Sequence, residues 1–184
     1  MQTISTVVEL RRQVSKWKEN NEKIIFVPTM GNLHAGHMAL IDYAKSCSGN
    51  VICSIFVNAL QFDREEDLNA YPRTLQQDLV ALQNADVDAV FTPDHDEIYS
   101  KQNELAKELP KIPLNQELCG KYRPGFFDGI VEVVARLFNI VTPDAAVFGE
   151  KDYQQLHIIK WLVETYKIPV EILAGPIIRE PDGL

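Results

Sequence analysis

Five short stretches of this chain are dense in apolar residues, and between them apolar positions recur at helical spacing. The dense stretches are Ile24–Val27, Val51–Val57, Val87–Phe91, Ala145–Phe148 and Val170–Leu173. Strands covered on both faces read this way, because neither face turns to water. Within Thr6–Glu19, the positions Val7, Leu10, Val14 and Trp17 mark an amphipathic helix, and Arg11, Arg12, Lys16 and Lys18 read as its solvated face. A second helix is predicted from Gly36 to about Cys47, closed by Ser48-Gly49-Asn50. A third opens near Pro72 or Thr74 and runs to about Asn84, with Leu75, Leu79 and Leu82 inward. Two more follow at Ile130–Ile140, with Val133, Val134, Leu137 and Phe138 inward, and from Tyr153 to about Tyr166. Pro28 is expected to end the first strand, and Asp63–Asp67 reads as a solvated loop. Glu97–Leu118, charged and broken by Pro110 and Pro113, reads as a peripheral excursion. Strands alternating with helices in this order predict an α/β fold with a doubly wound parallel sheet.

Composition narrows the function classes. With 184 residues the chain is long enough for one domain with a sizeable core. A net charge of −8 and a pI near 5.0 argue against a nucleic-acid partner, since binding to phosphate backbones draws on released counterions and needs cations. No run approaches the roughly 20 apolar residues of a membrane helix, and the first residues lack the apolar core of a leader, so a cytoplasmic protein with no membrane partner is expected. Cys47, Cys53 and Cys119 form no CxxC pair and have no histidine at ligand spacing, which favours buried free thiols over zinc or disulfides.

Candidate chemistry gathers after the strands. Thr29-Met30-Gly31-Asn32-Leu33-His34-Ala35-Gly36-His37 follows the first strand, and a helix opening at Gly36 puts both imidazoles on one face. A helix N-terminus offers free N–H groups and partial positive charge, which suits a phosphate chain. The plainer reading is a strand-to-helix turn with two solvent histidines. Asn58 and Gln61 follow the second strand, where they either bind a small substrate or cap their own turn. Gly149-Glu150-Lys151-Asp152 repeats the strand-to-helix geometry, with a lysine for phosphate and with Asp152 either a plain N-cap or a catalytic acid. Gly120–Gly129, glycine-rich with two cations, either folds over a nucleotide or is only a long turn. Right-handed crossovers would carry the His34/His37, Asn58/Gln61 and Lys151/Asp152 clusters to one crevice, a site for a nucleoside triphosphate and a small polar partner.

These motifs, in order along nearly the whole chain, resemble a known family. PTMGNLHAGH, SIFVNALQF, YPRTLQQD, YRPGFFDG, LFNIV.PD..VFGEKDYQQL and IIREPDGL are similar to the pantoate-beta-alanine ligases, or pantothenate synthetases, of the HIGH-type nucleotidyltransferase superfamily. The resemblance implies a Rossmann-like domain and an ATP-dependent acid-amine ligase on the route to coenzyme A. Pantoate and ATP would give pantoyl adenylate and pyrophosphate with Mg2+; beta-alanine would then displace AMP to give pantothenate. Carried onto this chain, it implies ATP binding by Met30, Gly31, Asn32, Leu33, His34, Ala35, Gly36 and His37, by Gly149, Glu150, Lys151 and Asp152, and by Ile178 beside the adenine. His37, as proton donor, His34 and Lys151 would be catalytic. Gln61 and Gln155 would clasp pantoate, Asn58 and Arg123 would join them, and Asp78 would be the carboxylate linked to magnesium. A homodimer is implied as well.

Three departures from the family pattern stand out. Ala59 replaces a proline after Asn58, Phe126 replaces a histidine after Arg123-Pro124-Gly125, and Gln77 stands where a second acid is expected beside Asp78. The chain also stops at Leu184, before the family's serine-serine-arginine segment and smaller C-terminal domain. Residues 1–184 therefore read as a nucleotide- and pantoate-binding N-terminal domain with that C-terminal domain absent. Two rival readings are an HxGH nucleotidylyltransferase acting on a phosphorylated acceptor and a nucleotide-binding fragment without turnover.

Overall fold

A computed structural model describes residues 1–100, 103 and 112–183. Six parallel strands form one sheet: β1 (Gln2–Ile4), β2 (Ile24–Thr29), β3 (Asn50–Ile55), β4 (Ala89–Phe91), β5 (Ala145–Gly149) and β6 (Glu171–Gly175). Their spatial order is β1-β4-β3-β2-β5-β6. The chain thus winds outward from β2 through β3 to β4, then crosses back to β5 on the other side of β2. That reversal makes the crevice at the carboxyl ends of β2 and β5 the switch point of the sheet.

Successive side chains of a strand face opposite ways, and here they feed two cores. Ile24 and Phe26 of β2, with Ala146 and Phe148 of β5, face the layer of α1 (Val7–Glu19) and the helices α7 (Phe126–Val141) and α8 (Tyr153–Tyr166). Ile25 and Val27, with Ala145 and Val147, face α2 (Ala35–Ser46) and α4 (Leu75–Asn84). This two-sided burial explains the dense apolar runs. α7 is buried nearly all round, from Phe127 to Val141, and forms the floor on which the switch-point loops rest.

Several boundaries differ from the sequence reading. β1 is an added edge strand, paired with β4 through Gln2↔Ala89 and Ile4↔Phe91. Pro28 lies inside β2 rather than ending it. The Thr29 carbonyl accepts from Phe56 on the β3 side and the Ile24 carbonyl from Asp144 on the β5 side, so alternation places the Pro28 nitrogen on the β5 side. Pairing with β5 has already stopped at Phe26↔Ala146, so the missing N–H costs no ladder bond and the two strands part there. The acidic stretch after Asp63 is helical, as α3 (Glu65–Ala70). The first four residues of α7 and most of α6 (Leu118–Tyr122) occupy the stretch read as a glycine-rich loop. Leu75 is exposed, not inward. Arg11 donates to Asn103 Oδ1 at 3.2 Å and Lys18 to Thr142 Oγ1 at 2.9 Å, so that face of α1 is not merely solvated. Of the predicted excursion, α5 (His95–Tyr99) claims the start, and Pro110 lies outside the described residues. The three cysteines are free; Cys53 is buried, with its thiol pushed up to about 12 by that burial, and Cys119 is exposed.

Candidate active site

Between β2 and α2 the chain makes a tight turn held by one carboxylate. Gly31 and Asn32 both have positive φ, +78° and +51°, a conformation that glycine takes freely and asparagine tolerates. The turn points the N–H groups of Asn32 and Leu33 at Asp78, whose Oδ2 and Oδ1 accept them at 3.0 and 2.8 Å. Thr74 Oγ1 adds a third bond to Oδ2 at 3.1 Å, and Asp78 is only 3% exposed. A side chain at Gly31 would press on the same oxygen, 3.0 Å from its Cβ. Asp78 therefore ties α4 to the turn. Its oxygens accept three bonds from within the protein, its neighbour Gln77 is an amide, and among the described residues no three His, Cys, Asp or Glu side chains gather to hold a metal ion. The described residues thus build no multi-ligand metal site around Asp78, and the magnesium link expected for it would have to run through nucleotide phosphates.

His34 is the N-cap of α2. Its Nδ1 accepts from the Gly36 N–H at 3.1 Å, while His37 Nδ1 accepts from the His34 N–H at 3.3 Å. Two imidazoles thus make the reciprocal capping box usually built from a hydroxyl and a carboxylate. Each ring, using Nδ1 as acceptor, carries its proton on Nε2 when neutral. The ring centroids are 4.0 Å apart. Burial, then the neighbouring His34, hold His37 well below its ordinary 6.5, at about 4, against the opposing pull of Asp78 and Asp152. His37 is accordingly a neutral N–H donor at physiological pH.

A cleft of about 770 Å3 opens at the switch point. From the β2 side Met30, His34, Ala35, Gly36 and His37 line it; from the β5 side Gly149, Lys151 and Asp152 do. Gln61, on the 3-10 turn Ala59–Gln61 after β3, and Gln155, in the first turn of α8, face into it over an apolar wall of Pro28, Phe56, Val134 and Phe148. Ile178 closes one side. The three clusters expected to converge do so. Gly31, Asn32 and Leu33, which shape the turn, and Glu150 are not part of the lining. Asp152 precedes α8 without a side-chain cap bond; its Oδ1 lies 3.4 Å from Lys151 Nζ.

Asn58 and Arg123 have other partners. Asn58 lines the cleft but is only 1% exposed, with its amide fully engaged inside the protein. Arg123 does not line the cleft; its guanidinium stacks 3.4 Å over the Phe126 ring and reaches Asp63 and the Gln61 carbonyl, both at 3.4 Å. Phe126, the departure from the family pattern, is the platform that holds Arg123 there. Sequence reasoning missed Tyr71, Arg179 and Glu180, which also line the cleft. In the sequence Tyr71 reads only as the approach to a helix, and the other two only as part of a terminal motif.

Sheet order and a switch-point cleft beside the N-terminus of α2 define a Rossmann-like α/β domain. Within that class the chain belongs to the pantoate-beta-alanine ligase family, whose sequence model matches residues 2–184. It is 49% identical to a pantothenate synthetase of Shewanella amazonensis, over all of this chain and 66% of that protein. Among solved structures it is similar to pantothenate synthetase from Thermus thermophilus, with 44% identity and a TM-score of 0.90 over the whole chain and 64% of the other. It is equally similar to pantoate-beta-alanine ligase from Francisella tularensis in complex with beta-gamma ATP and beta-alanine, with 42% identity, a TM-score of 0.90 and coverage of 100% and 70%. The chain spans 66% of the length of the Shewanella relative and comparable shares of the others.

Proposed function

We propose that this chain provides the nucleotide- and pantoate-binding part of an ATP-dependent ligase that joins pantoate to beta-alanine through a pantoyl adenylate. One observation carries the reading: two imidazoles at the N-terminus of α2 share a single cleft with two glutamines set over an apolar wall. In the first step a pantoate carboxylate oxygen attacks the α-phosphorus of ATP and pyrophosphate leaves. In the second the beta-alanine amine attacks the acyl carbon, AMP leaves with the bonding electrons, and the amine loses a proton. Neither step needs a covalent bond to the protein. The chain contributes position and charge stabilisation: His34 and His37 would donate Nε2–H to phosphate oxygens, Lys151 would add a full charge, and the α2 dipole would favour both. Gln61 and Gln155 would hold the hydroxyl and carboxylate of pantoate, with its methyl groups against Pro28 and Phe56. Mg2+ enters with ATP as part of the substrate. The proposal includes the homodimer and cytoplasmic setting implied by the resemblance and the composition.

An acceptor carrying a phosphate ester suits the cleft less well. Gln61 meets Asn58 and Met30, neither of them charged, and the lining cations among the described residues, Lys151 and Arg179, stand just after β5 and beyond β6. The test is exchange of labelled pyrophosphate into ATP. We expect exchange that requires pantoate, proceeds without beta-alanine, and falls about 100-fold or more in His37→Ala. Exchange driven by a phosphate-ester acceptor instead would overturn the reading; bound ATP and pantoate without exchange would reduce the chain to a binding domain.

A further inference from the structure

Tyr99 closes α5 outside the cleft, its ring centroid 6.4 Å from that of Phe56 and the Arg136 guanidinium 4.7 Å over its face. Its hydroxyl donates to Asn58 Oδ1 at 2.8 Å. Asn58 Oδ1 also accepts from the Leu60 N–H at 3.4 Å, while Nδ2 donates to the Gly129 carbonyl at 3.0 Å and to Gln61 Oε1 at 3.3 Å. A backbone N–H can only donate and a backbone carbonyl can only accept. Between Leu60 and Gly129 the Asn58 amide therefore has a single orientation. It follows that Gln61 turns its oxygen towards Asn58 and its NH2 towards the cleft, where among the described residues Nε2 donates to Met30 Sδ, at 2.9 Å, a weak acceptor.

We propose that Tyr99 is a positioning residue which, through Asn58, fixes Gln61 with its N–H towards the cleft, so that this point of the site selects a ligand oxygen that accepts a hydrogen bond. Of the Oδ1 partners the Tyr99 bond is the short one, and without it the asparagine carbonyl keeps a single long contact. Burial, then Glu132, push the Tyr99 hydroxyl above its ordinary pKa, so it stays a donor. The inference rests on the pantoate reading only for the identity of that ligand: the acid substrate presents carboxylate and hydroxyl oxygens.

Tyr99→Phe removes the hydroxyl and keeps the ring. Two readouts separate positioning from a general structural role. In side-chain amide NMR of the ligand-free chain, the Gln61 NH2 resonances should shift and broaden in the variant. In calorimetry with a non-hydrolysable ATP analogue, pantoate affinity should fall about three- to tenfold, as expected for one hydrogen bond, with nucleotide affinity unchanged. Incorporating 3-fluorotyrosine at position 99, which retains a donor, should restore both, and covers the case in which the phenylalanine variant folds poorly. Unmoved Gln61 resonances would overturn the proposal, as would equal losses for nucleotide and acid. If the Gln61 resonances move while the unaltered chain binds no pantoate, the positioning stands and the substrate reading fails.

Discussion

At His37 the site's electrostatics reduce to one measurable number. Its pKa falls from 6.5 to about 4, chiefly through burial and the adjacent His34. Between those values the unfolded chain binds more protons than the native one. The residue's contribution to stability is therefore complete above pH 6.5 and is lost as the pH falls towards 4. Long-range imidazole NMR should report a midpoint near 4 in the free protein, moving upward when a triphosphate adds negative charge beside the ring. A midpoint left at 6.5 would mean that the ring is solvated and the capping box open. Asp78 gives the second prediction at this scale. Asp78→Ala strands two backbone N–H groups and a hydroxyl, and should cost about 2–4 kcal/mol in denaturant unfolding while weakening nucleotide binding. A change below about 0.5 kcal/mol would show that water replaces the carboxylate. The histidines were legible because they share one contiguous motif. The task of Asp78 was not, because nothing local links it to Asn32 and Leu33, 46 and 45 positions away.

Elements carry the site by resting on α7. The turn that presents Gln61 sits against Gly129, where an added Cβ would meet the Leu60 carbonyl carbon at 2.7 Å and the Gln61 nitrogen at 3.0 Å. Both are backbone atoms, so neither moves cheaply. Gly129→Ala should thus destabilise the fold by about 1–3 kcal/mol and weaken pantoate binding more than nucleotide binding. Retention of both at the original level would show that the turn can slide along α7. The sequence read Gly129 as a loop glycine, since glycine clusters usually mark turns. Close approach between a helix and a turn gives the same residue, and only the fold distinguishes them. α3 was missed for a related reason. It buries none of its residues, so it leaves no apolar period, yet Glu65, Glu66 and Asp67 in its first turn suit the helix dipole.

On the scale of the whole molecule, the doubly wound architecture was legible from five dense apolar runs separated by helical periods. Two-sided burial writes that pattern directly into the chain. β1 escaped because a three-residue edge strand with only Ile4 buried carries no pattern, and its place is set by pairing with β4. The convergence of three clusters was legible because parallel strands joined by right-handed crossovers send their carboxyl ends one way. The network behind the cleft, from Tyr99 through Asn58 to Gln61, was not, because it joins residues that only the folded sheet brings together.

On the proposed function, a nucleotide and pantoate meet in one cleft of this chain. Calorimetric titration of pantoate, with a non-hydrolysable ATP analogue and magnesium present and phosphate-ester acceptors as controls, tests it most directly. Saturable heat is expected from pantoate, strengthened by the nucleotide, and none from the controls. Heat from the phosphate esters alone, or silence from every ligand, would contradict it.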